Sequence, residues 1–173
     1  FAIATGVVVA DQALVVTFTD KAAGEMVTRL RDLGLRGVTA RTFHAHALSQ
    51  LRFFWPLRHD GEPLPELLDS KAPIIGRIAR QLPGHYRFTP TKDLADEIEW
   101  AKSRRIVPGE YEQRAGERQP PIPSDLFVHL YRNYEREKTR QHRIDLDDLL
   151  LQTVDLLEGD EEAAETVSAS KRW

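Results

Sequence analysis

The sequence contains no cysteine and no hydrophobic run long enough to cross a membrane. Without cysteine, the 173-residue chain forms no disulfide, no thiolate metal site and no cysteine nucleophile, which is compatible with a reducing cytoplasm. Its formal net charge of -3 is not typical of a protein whose whole surface binds a polyanion. Any contact with such a ligand must therefore be local.

The sequence also lacks the phosphate-binding pattern GxxxxGK[ST]. In that pattern, backbone amides and a lysine surround the phosphates of a nucleotide. We therefore expect no ATP to bind to this chain alone.

The chain begins without methionine, directly in the apolar run Phe1–Val9. This run lacks the basic leader and the cleavage site of a signal peptide. Periodicity does not decide whether it is the end of a helix or a buried strand. We expect the chain to be a fragment of a longer protein.

The stretch from residue 13 to residue 46 predicts a strand, a helix and a second strand. Ala13–Val16 is short, apolar and rich in β-branched residues, as in a buried strand. A helix follows from Asp20 until glycines at 34 and 37 end it, and Val38–Phe43 is the second strand. This order predicts a parallel unit whose polar loops meet at the carboxyl ends of the strands.

Hydroxyl and aromatic side chains follow both predicted strands. Thr17, Phe18 and Thr19 follow the first, and Thr42 and His44 follow the second. Threonine and phenylalanine are common at strand ends, which is a purely structural interpretation. Hydroxyls and loop amides also bind phosphate oxygens, and an exposed aromatic ring stacks on a nucleic-acid base. The residues alone leave both interpretations open.

The middle of the chain predicts helices without strands. After a proline- and glycine-containing linker, apolar stripes at helical spacing occur in Ser70–Leu82, Thr91–Arg105 and Ser124–Thr139. A last strong helix is predicted at Asp145–Glu158, with a buried stripe of Leu146, Leu149, Leu150, Val154 and Leu157. We predict three segments: residues 1–57, an all-helical insertion at 58–143, and a return to the first domain at 144–173.

Charged clusters in the middle and last segments favour structural roles when taken alone. Asp145, Asp147 and Asp148 stand at a helix start, where carboxylates satisfy free amides, so we predict no metal site and no catalytic residue. The basic cluster that contains Lys138 and Arg140 is interrupted by glutamates and predicts an ion-paired helix face. A smaller basic cluster follows Trp100, which we expect to be a core residue.

Three motifs resemble those of superfamily-one DNA helicases of the UvrD, PcrA and Rep type. TFTDKAAGEM begins at Thr17, TFHAH begins at Thr42, and IDLDDLL begins at Ile144. They occur in the family's order and at about its spacing. EIEWAKSRRI, at Glu97–Ile106, is similar to the actinobacterial UvrD-like branch in particular.

The resemblance implies an α/β fold: a partial parallel RecA-like sheet unit with an inserted all-helical subdomain, mostly helical overall. It implies a fragment of an ATP-dependent 3′ to 5′ DNA helicase of DNA repair or replication. The intact parent would use ATP and Mg, whose binding motifs, GxGxGKT and DExxD, this sequence lacks. The implied partners are single-stranded DNA and duplex junctions, and the implied location is the bacterial cytoplasm, at the nucleoid.

By the same resemblance, a set of residues after the two strands contacts single-stranded DNA: Thr17, Phe18, Thr19, Lys21, Thr42 and His44. Basic residues of the inserted subdomain contact duplex DNA: Lys102, Arg104, Arg105, Lys138 and Arg140.

Within the first two motifs, the sequence departs from the family's usual residues at two positions. Asp20 replaces the usual asparagine, and we expect its carboxylate to turn away from DNA and cap the helix. Ala45 replaces a serine and removes a hydroxyl. Phe43 is expected to pack inward, because it alternates with Thr42 and His44 along the strand.

Two alternatives remain open from the sequence. One is a nucleic-acid-binding module that has the helicase shape without the enzyme activity. The other is the helicase half of a RecB-like helicase and nuclease.

Overall fold

A computed structural model describes residues 3, 5–6 and 8–170 of the chain. The expectation for Phe1–Val9 falls partly outside these described residues. The chain forms two compact units: Phe1–Leu64 with Gln152–Trp173, here the α/β unit, and Pro65–Leu151, here the helical unit. The divisions therefore lie at 64/65 and 151/152, compared with the predicted 57/58 and 143/144.

The regular elements, in chain order, are β1 (Leu14–Thr17), α1 (Asp20–Asp32), β2 (Thr39–Thr42), α2 (Phe43–Arg58), β3 (Glu66–Leu67), α3 (Ala72–Ala79), α4 (Thr91–Ser103), α5 (Tyr111–Arg114), α6 (Ser124–Arg140), β4 (Arg143–Ile144), α7 (Leu146–Gly159) and α8 (Glu161–Ser170). Short 3-10 turns lie at Ala10–Gln12, Gly84–Phe88 and Pro108–Glu110. The prediction of a mostly helical α/β chain with a parallel sheet unit is confirmed. No helix among the described residues is long and apolar enough to span a membrane.

In the α/β unit, β1 and β2 pair in parallel, with Leu14 opposite Thr39 and Thr17 opposite Thr42. The crossover is α1, and Gly34 lies just beyond its end. This glycine has φ +76°, and its N–H donates to the carbonyl of Arg31 at 2.9 Å. The next N–H, that of Leu35, donates to the carbonyl of Leu30 at 2.9 Å. The two bonds satisfy the last carbonyls of the helix and turn the chain back towards β2.

Helix α2 differs from the prediction at both ends. It begins at Phe43, a residue that the sequence pattern placed in the strand, and it continues through Pro56 to Arg58. A proline in the last turn removes only one helical hydrogen bond, so the helix does not have to stop there. The carbonyl of Pro56 instead accepts a hydrogen bond from the N–H of Gly61 at 2.8 Å.

The core of the helical unit is formed by α3, α4 and α6. Side chains from all three helices are completely buried there, among them Ile75, Leu94, Ile98, Phe127 and Leu130. The apolar stripes of the sequence therefore identified the buried faces correctly. Burial of large apolar side chains contributes about 1.5–3 kcal/mol each, so these faces hold the three helices together.

The helical unit also contains one short pair of strands, which the sequence analysis did not predict. β3 pairs in parallel with β4, so that Glu66 lies opposite Arg143 and Leu67 opposite Ile144. The N–H of Leu68 donates to the carbonyl of Ile144 at 2.7 Å. Two residues are too few to show a period of two, which explains why the middle segment looked all-helical. The pair joins the beginning of the helical unit to its end.

The predicted buried stripe of α7 is partly wrong. Leu146 and Val154 are exposed, whereas Leu149, Thr153 and Leu156 are buried. The buried residues are spaced by four and three, so the packed face is still a helical stripe. It includes a threonine, which a search for apolar residues omits.

Candidate nucleic-acid interface

The predicted site residues of the α/β unit lie at one edge of its sheet. Thr17 and Thr42 are opposite each other at the carboxyl ends of β1 and β2. Helix α1 begins three residues after Thr17, and α2 begins directly after Thr42. The edge therefore combines two strand ends with two helix N-termini. Helix N-termini carry free N–H groups and a partial positive charge, both of which favour phosphate.

A threonine side chain caps each of these helices. The Oγ1 atom of Thr19 accepts a hydrogen bond from the N–H of Ala22 at 3.1 Å, and the Oγ1 atom of Thr42 accepts one from the N–H of Ala45 at 3.1 Å. Asp20 was expected to cap α1, and this was wrong. It is the first residue of the helix, and its side chain is exposed. The preceding Thr19 has the extended backbone that a capping residue requires.

Phe18 is the most exposed large apolar side chain of this edge. The exposed fraction of its residue surface is 87%, and that of Phe43 is 42%. The two ring centroids are 5.3 Å apart, with 43° between the ring planes. Phe43 was predicted to pack inward, and this was wrong because the strand ends at Thr42. The alternation of side chains does not continue into the first turn of α2.

The other predicted residues of this edge differ in their access to a ligand. Lys21 and Thr19 are exposed, and Thr17 and His44 are half-buried. Thr42 is buried, and its hydroxyl oxygen caps α2. A buried capping oxygen does not reach a phosphate on the surface, so the expectation of a direct contact by Thr42 is corrected to a positioning role. The sequence analysis did not include Phe43 among the residues of this edge. The signal that could have identified it is Thr42, because a capping threonine indicates that a helix begins at the next residue.

Two of the five predicted duplex contacts are buried in the helical unit. Lys102 and Lys138 each have an exposed fraction of 3%. The Nζ atom of Lys102 lies 2.7 Å from Asp145, 2.5 Å from Asp148 and 3.0 Å from Glu135. These two lysines are therefore not available to DNA, and the prediction was wrong for both. In the sequence, both lysines belong to groups of basic residues, and this pattern does not show that their positions on α4 and α6 face the interior.

Lys138 shares the same acidic partners. Its Nζ atom lies 2.7 Å from Glu135 and 3.3 Å from Asp145, and it also pairs with Asp148. The hydroxyl of Tyr134 donates to Asp145 at 2.7 Å. The set of Lys102, Lys138, Glu135, Asp145, Asp148 and Tyr134 is called the buried ion cluster below.

Burial and charge oppose each other in this cluster. Burial disfavours the ionised carboxylate of Asp145, but the ammonium groups of Lys102 and Lys138 outweigh it, so the pKa of Asp145 is well below its usual value. Burial likewise disfavours the charged form of Lys102, but its three acidic partners raise the pKa of Lys102 above its usual value. Both groups are therefore charged at neutral pH.

Asp145 and Asp148 also lie at the start of α7, as the sequence predicted: Asp145 directly precedes the helix and Asp148 is in its first turn. The N–H of Asp148 donates to Asp145 at 2.9 Å, and the N–H of Asp145 donates to Asp148 at 3.0 Å. This reciprocal arrangement is a capping box. Among the described residues, Glu135, Asp145 and Asp148 form the only group of three acids close enough to share a metal ion. The ammonium groups of Lys102 and Lys138 already pair with all three acids, so the group does not fit a cation.

The three remaining duplex candidates are on the surface. Arg104 and Arg105 are exposed, and the guanidinium of Arg104 lies 4.5 Å from the ring centroid of Trp100. Arg140 is exposed and pairs with Glu137 at 2.8 Å. Hydrogen bonds from Arg140 and Gln141 lower the pKa of Glu137 to about 2. The charge of Arg140 is therefore partly neutralised by a neighbouring carboxylate.

Comparison with known proteins gives one family. The family model described as UvrD/REP helicase N-terminal domain matches residues 2–172. The ATP-dependent DNA helicase UvrD2 of Mycobacterium tuberculosis is 42% identical over 176 residues, covering 94% of this chain and 25% of that protein. UvrD2 of Mycobacterium bovis gives the same values. The ATP-dependent DNA helicase PcrA of Leuconostoc citreum is 28% identical over 156 residues, covering 84% and 20%. The chain spans about a quarter of the length of the curated relatives it matches.

Proposed function

Since the chain belongs to the UvrD/REP helicase N-terminal domain family, we propose that it is part of an ATP-dependent DNA helicase that moves along single-stranded DNA in the 3′ to 5′ direction. The family match over residues 2–172 and the 42% identity to mycobacterial UvrD2 support this proposal. The family assignment from the three sequence motifs is thereby confirmed.

The exposed ring of Phe18 is the observation on which the proposed role of this chain depends. An 87% exposed phenylalanine leaves apolar surface in water, and folding gains nothing from it. Stacking on a nucleic-acid base covers such a ring, whichever base is present. This tolerance of sequence is what a protein needs if it moves along DNA. Phe43, whose centroid is 5.3 Å away, supports one side of the ring.

The neighbouring groups supply contacts for the phosphates on either side of that base. Lys21 is exposed in the first turn of α1 and contributes a positive charge. The N-termini of α1 and α2 contribute partial positive charges and backbone N–H groups. Thr19 and Thr42 hold the two helix starts in place through their capping bonds. The edge therefore offers a ring that stacks on one base and groups that bind the phosphates on either side of it. Such an arrangement would form part of a binding track for single-stranded DNA.

The residues present do not fit ATP and Mg, which the intact protein would use. The glycine- and lysine-containing phosphate loop is missing from the sequence, and two lysines already pair with the three-acid group of the described residues. We therefore assign no step of nucleotide chemistry to this chain. Its proposed part in the helicase is to hold DNA.

The helical unit is proposed to contact duplex DNA through surface arginines. Arg104 and Arg105 fit this role, and Arg140 fits it less well because Glu137 neutralises it. Such contacts with phosphate add affinity without reading sequence. A chromosomal substrate would place the intact protein at the nucleoid of a bacterial cell, in repair or replication.

The full-length protein provides the test. Strand separation should require ATP and should occur on a duplex with a 3′ tail, and a duplex with a 5′ tail is the control. Phe18→Ala should slow the DNA-stimulated ATPase at limiting DNA and leave the DNA-free rate unchanged, because Phe18 binds no nucleotide. Phe53→Ala, which removes another exposed phenylalanine, is the matched control. Equal unwinding from both tails would contradict the proposed direction.

A further inference from the structure

The stretch from Ser70 to Lys92 contains no acidic residue. It is flanked by Asp69 and Asp93. Five basic residues occur within it: Lys71, Arg77, Arg80, Arg87 and Lys92. Lys71 is engaged with Glu99 and Asp147. The other four are exposed, and among them Arg77 pairs with Glu137 and Lys92 pairs with Asp96. The stretch thus places positive charge on the surface of the helical unit.

The 3-10 turn Gly84–Phe88 in this stretch presents an aromatic ring to solvent. Phe88 has an exposed fraction of 74%, and the guanidinium of Arg87 lies 4.8 Å from its ring centroid. Tyr86 packs against the core of the helical unit and anchors the turn. The turn is therefore held at its middle residue, and Phe88 is held outward beside a positive charge.

A groove of about 300 Å³ lies between α3 and α6. Most of its polar lining is basic or neutral, and the side chains are Arg77, Gln81, His129, Asn133, Arg136 and Glu137. Arg136 donates to Asn133 at 2.7 Å and has no acidic partner among the described residues. Glu137 is the single acid of the lining, and it is shared by Arg77 at 3.3 Å and Arg140 at 2.8 Å. The groove therefore has an excess of positive charge.

Two further arginines extend this charge beyond the groove. Arg132 is exposed one helical turn before Arg136, on the same face of α6. Arg80 is exposed at the end of α3, and Gln81 of the groove lies three residues before the turn Gly84–Phe88. Along the chain, the turn that carries Phe88 therefore comes directly after this basic part of α3.

We propose that the helical unit carries a second site for single-stranded nucleic acid, in which the α3/α6 groove binds phosphates and Phe88 stacks on a base. A duplex does not fit Phe88, because its bases expose their faces only at its ends. An acidic protein segment would satisfy the arginines but would give the stacked Arg87 and Phe88 pair no flat partner. The inference rests on the proposed function only in assuming that the substrate is nucleic acid, and it assigns a different surface.

The test uses the whole 173-residue chain and a fluorescent oligodeoxythymidylate of roughly 16 nucleotides, titrated by anisotropy at two salt concentrations. Phe88→Ala should weaken binding about fivefold or more, since one stacked base is lost. Arg80→Gln combined with Arg136→Gln should lower the slope of log affinity against log salt by roughly 0.7 per charge. The matched controls are Phe53→Ala and Arg52→Gln, both at exposed positions outside this surface.

Phe18→Ala, measured in parallel, separates this inference from the proposed function. Weaker binding by Phe88→Ala with unchanged binding by Phe18→Ala would support the second site and count against the proposed track. Unchanged binding by Phe88→Ala would overturn the second site, even if a protein segment were found to bind there. This result would not count against the proposed track at Phe18. Thermal unfolding of each variant confirms that a weaker titration does not come from loss of the fold.

Discussion

The ring of Phe18 lies 5.3 Å from the ring of Phe43, across the ends of two neighbouring parallel strands. Each ring is close to the start of a helix that a threonine caps, Thr19 in one case and Thr42 in the other. Phe18 precedes its capping threonine, whereas Phe43 follows its own. The two strand ends nevertheless each present an aromatic ring beside the free amide groups of a helix start, about 25 residues apart in the chain.

Replacement of the capping threonine of α2 should destabilise the α/β unit. Thr42→Ala removes the oxygen that accepts from the N–H of Ala45, and the loss of such a cap costs about 0.5–2 kcal/mol. Hydrogen exchange of the first-turn amides of α2 should become faster. Thr42→Ser keeps the oxygen and should restore slow exchange, whereas a Thr42→Ser variant that exchanges as fast as Thr42→Ala would refute the capping role.

The buried ion cluster should matter more for stability than for DNA binding. Lys102→Met removes one ammonium and leaves its carboxylate partners less compensated, which costs roughly 3–5 kcal/mol in buried pairs. Denaturant unfolding of the helical unit measures this loss. Lys92→Met, which breaks the exposed pair with Asp96, is the control and should change nothing measurable. A stable Lys102→Met variant with weakened duplex binding would restore the original prediction of a DNA contact.

The stability of the helical unit should fall in acid. The pKa of Asp145 is lowered by Lys102 and Lys138 against the effect of its burial, so the unfolded chain binds this proton more readily than the folded one. The contribution is complete above pH about 4, the ordinary pKa of the carboxyl, and is lost as the pH falls towards the folded value. Urea midpoints between pH 2 and about 6 should show the loss. Asp145→Asn should have a flatter profile, and an unchanged profile would contradict the assignment.

The isolated chain should bind no ATP measurably. The phosphate-binding pattern is missing from its sequence, and two lysines already pair with the three-acid group. Calorimetry with Mg-ATP tests this directly, and the full-length protein is the positive control. Micromolar affinity in the isolated chain would show that the nucleotide site has been assigned to the wrong part of the protein.

The sequence predicted the helices of the core and the parallel strand unit because both depend on periodic burial. The prediction failed where one helix boundary, or the helix face on which one residue lies, decides whether a side chain is exposed or buried. Phe43 appeared to be a strand residue, and one residue of difference in the start of α2 brings it to the surface. Lys102 and Lys138 appeared to belong to basic surface clusters, and only their acidic partners explain why they are buried. Asp145 and Asp148 lie at the start of α7, outside the helices that carry the two lysines, so no local pattern reveals these two partners.

The exposure of Phe18, by contrast, agrees with what the resemblance implied, and its proposed contact with single-stranded DNA is the central claim. The most direct test titrates the 173-residue chain with fluorescent oligodeoxythymidylate and compares the parent with Phe18→Ala, using Phe53→Ala as the control. We predict that Phe18→Ala weakens binding by roughly 1–3 kcal/mol, the contribution of one stacked base, and that Phe53→Ala binds like the parent. If Phe18→Ala binds single strands as tightly as the parent, Phe18 is not a stacking residue and this edge of the sheet is not the DNA track.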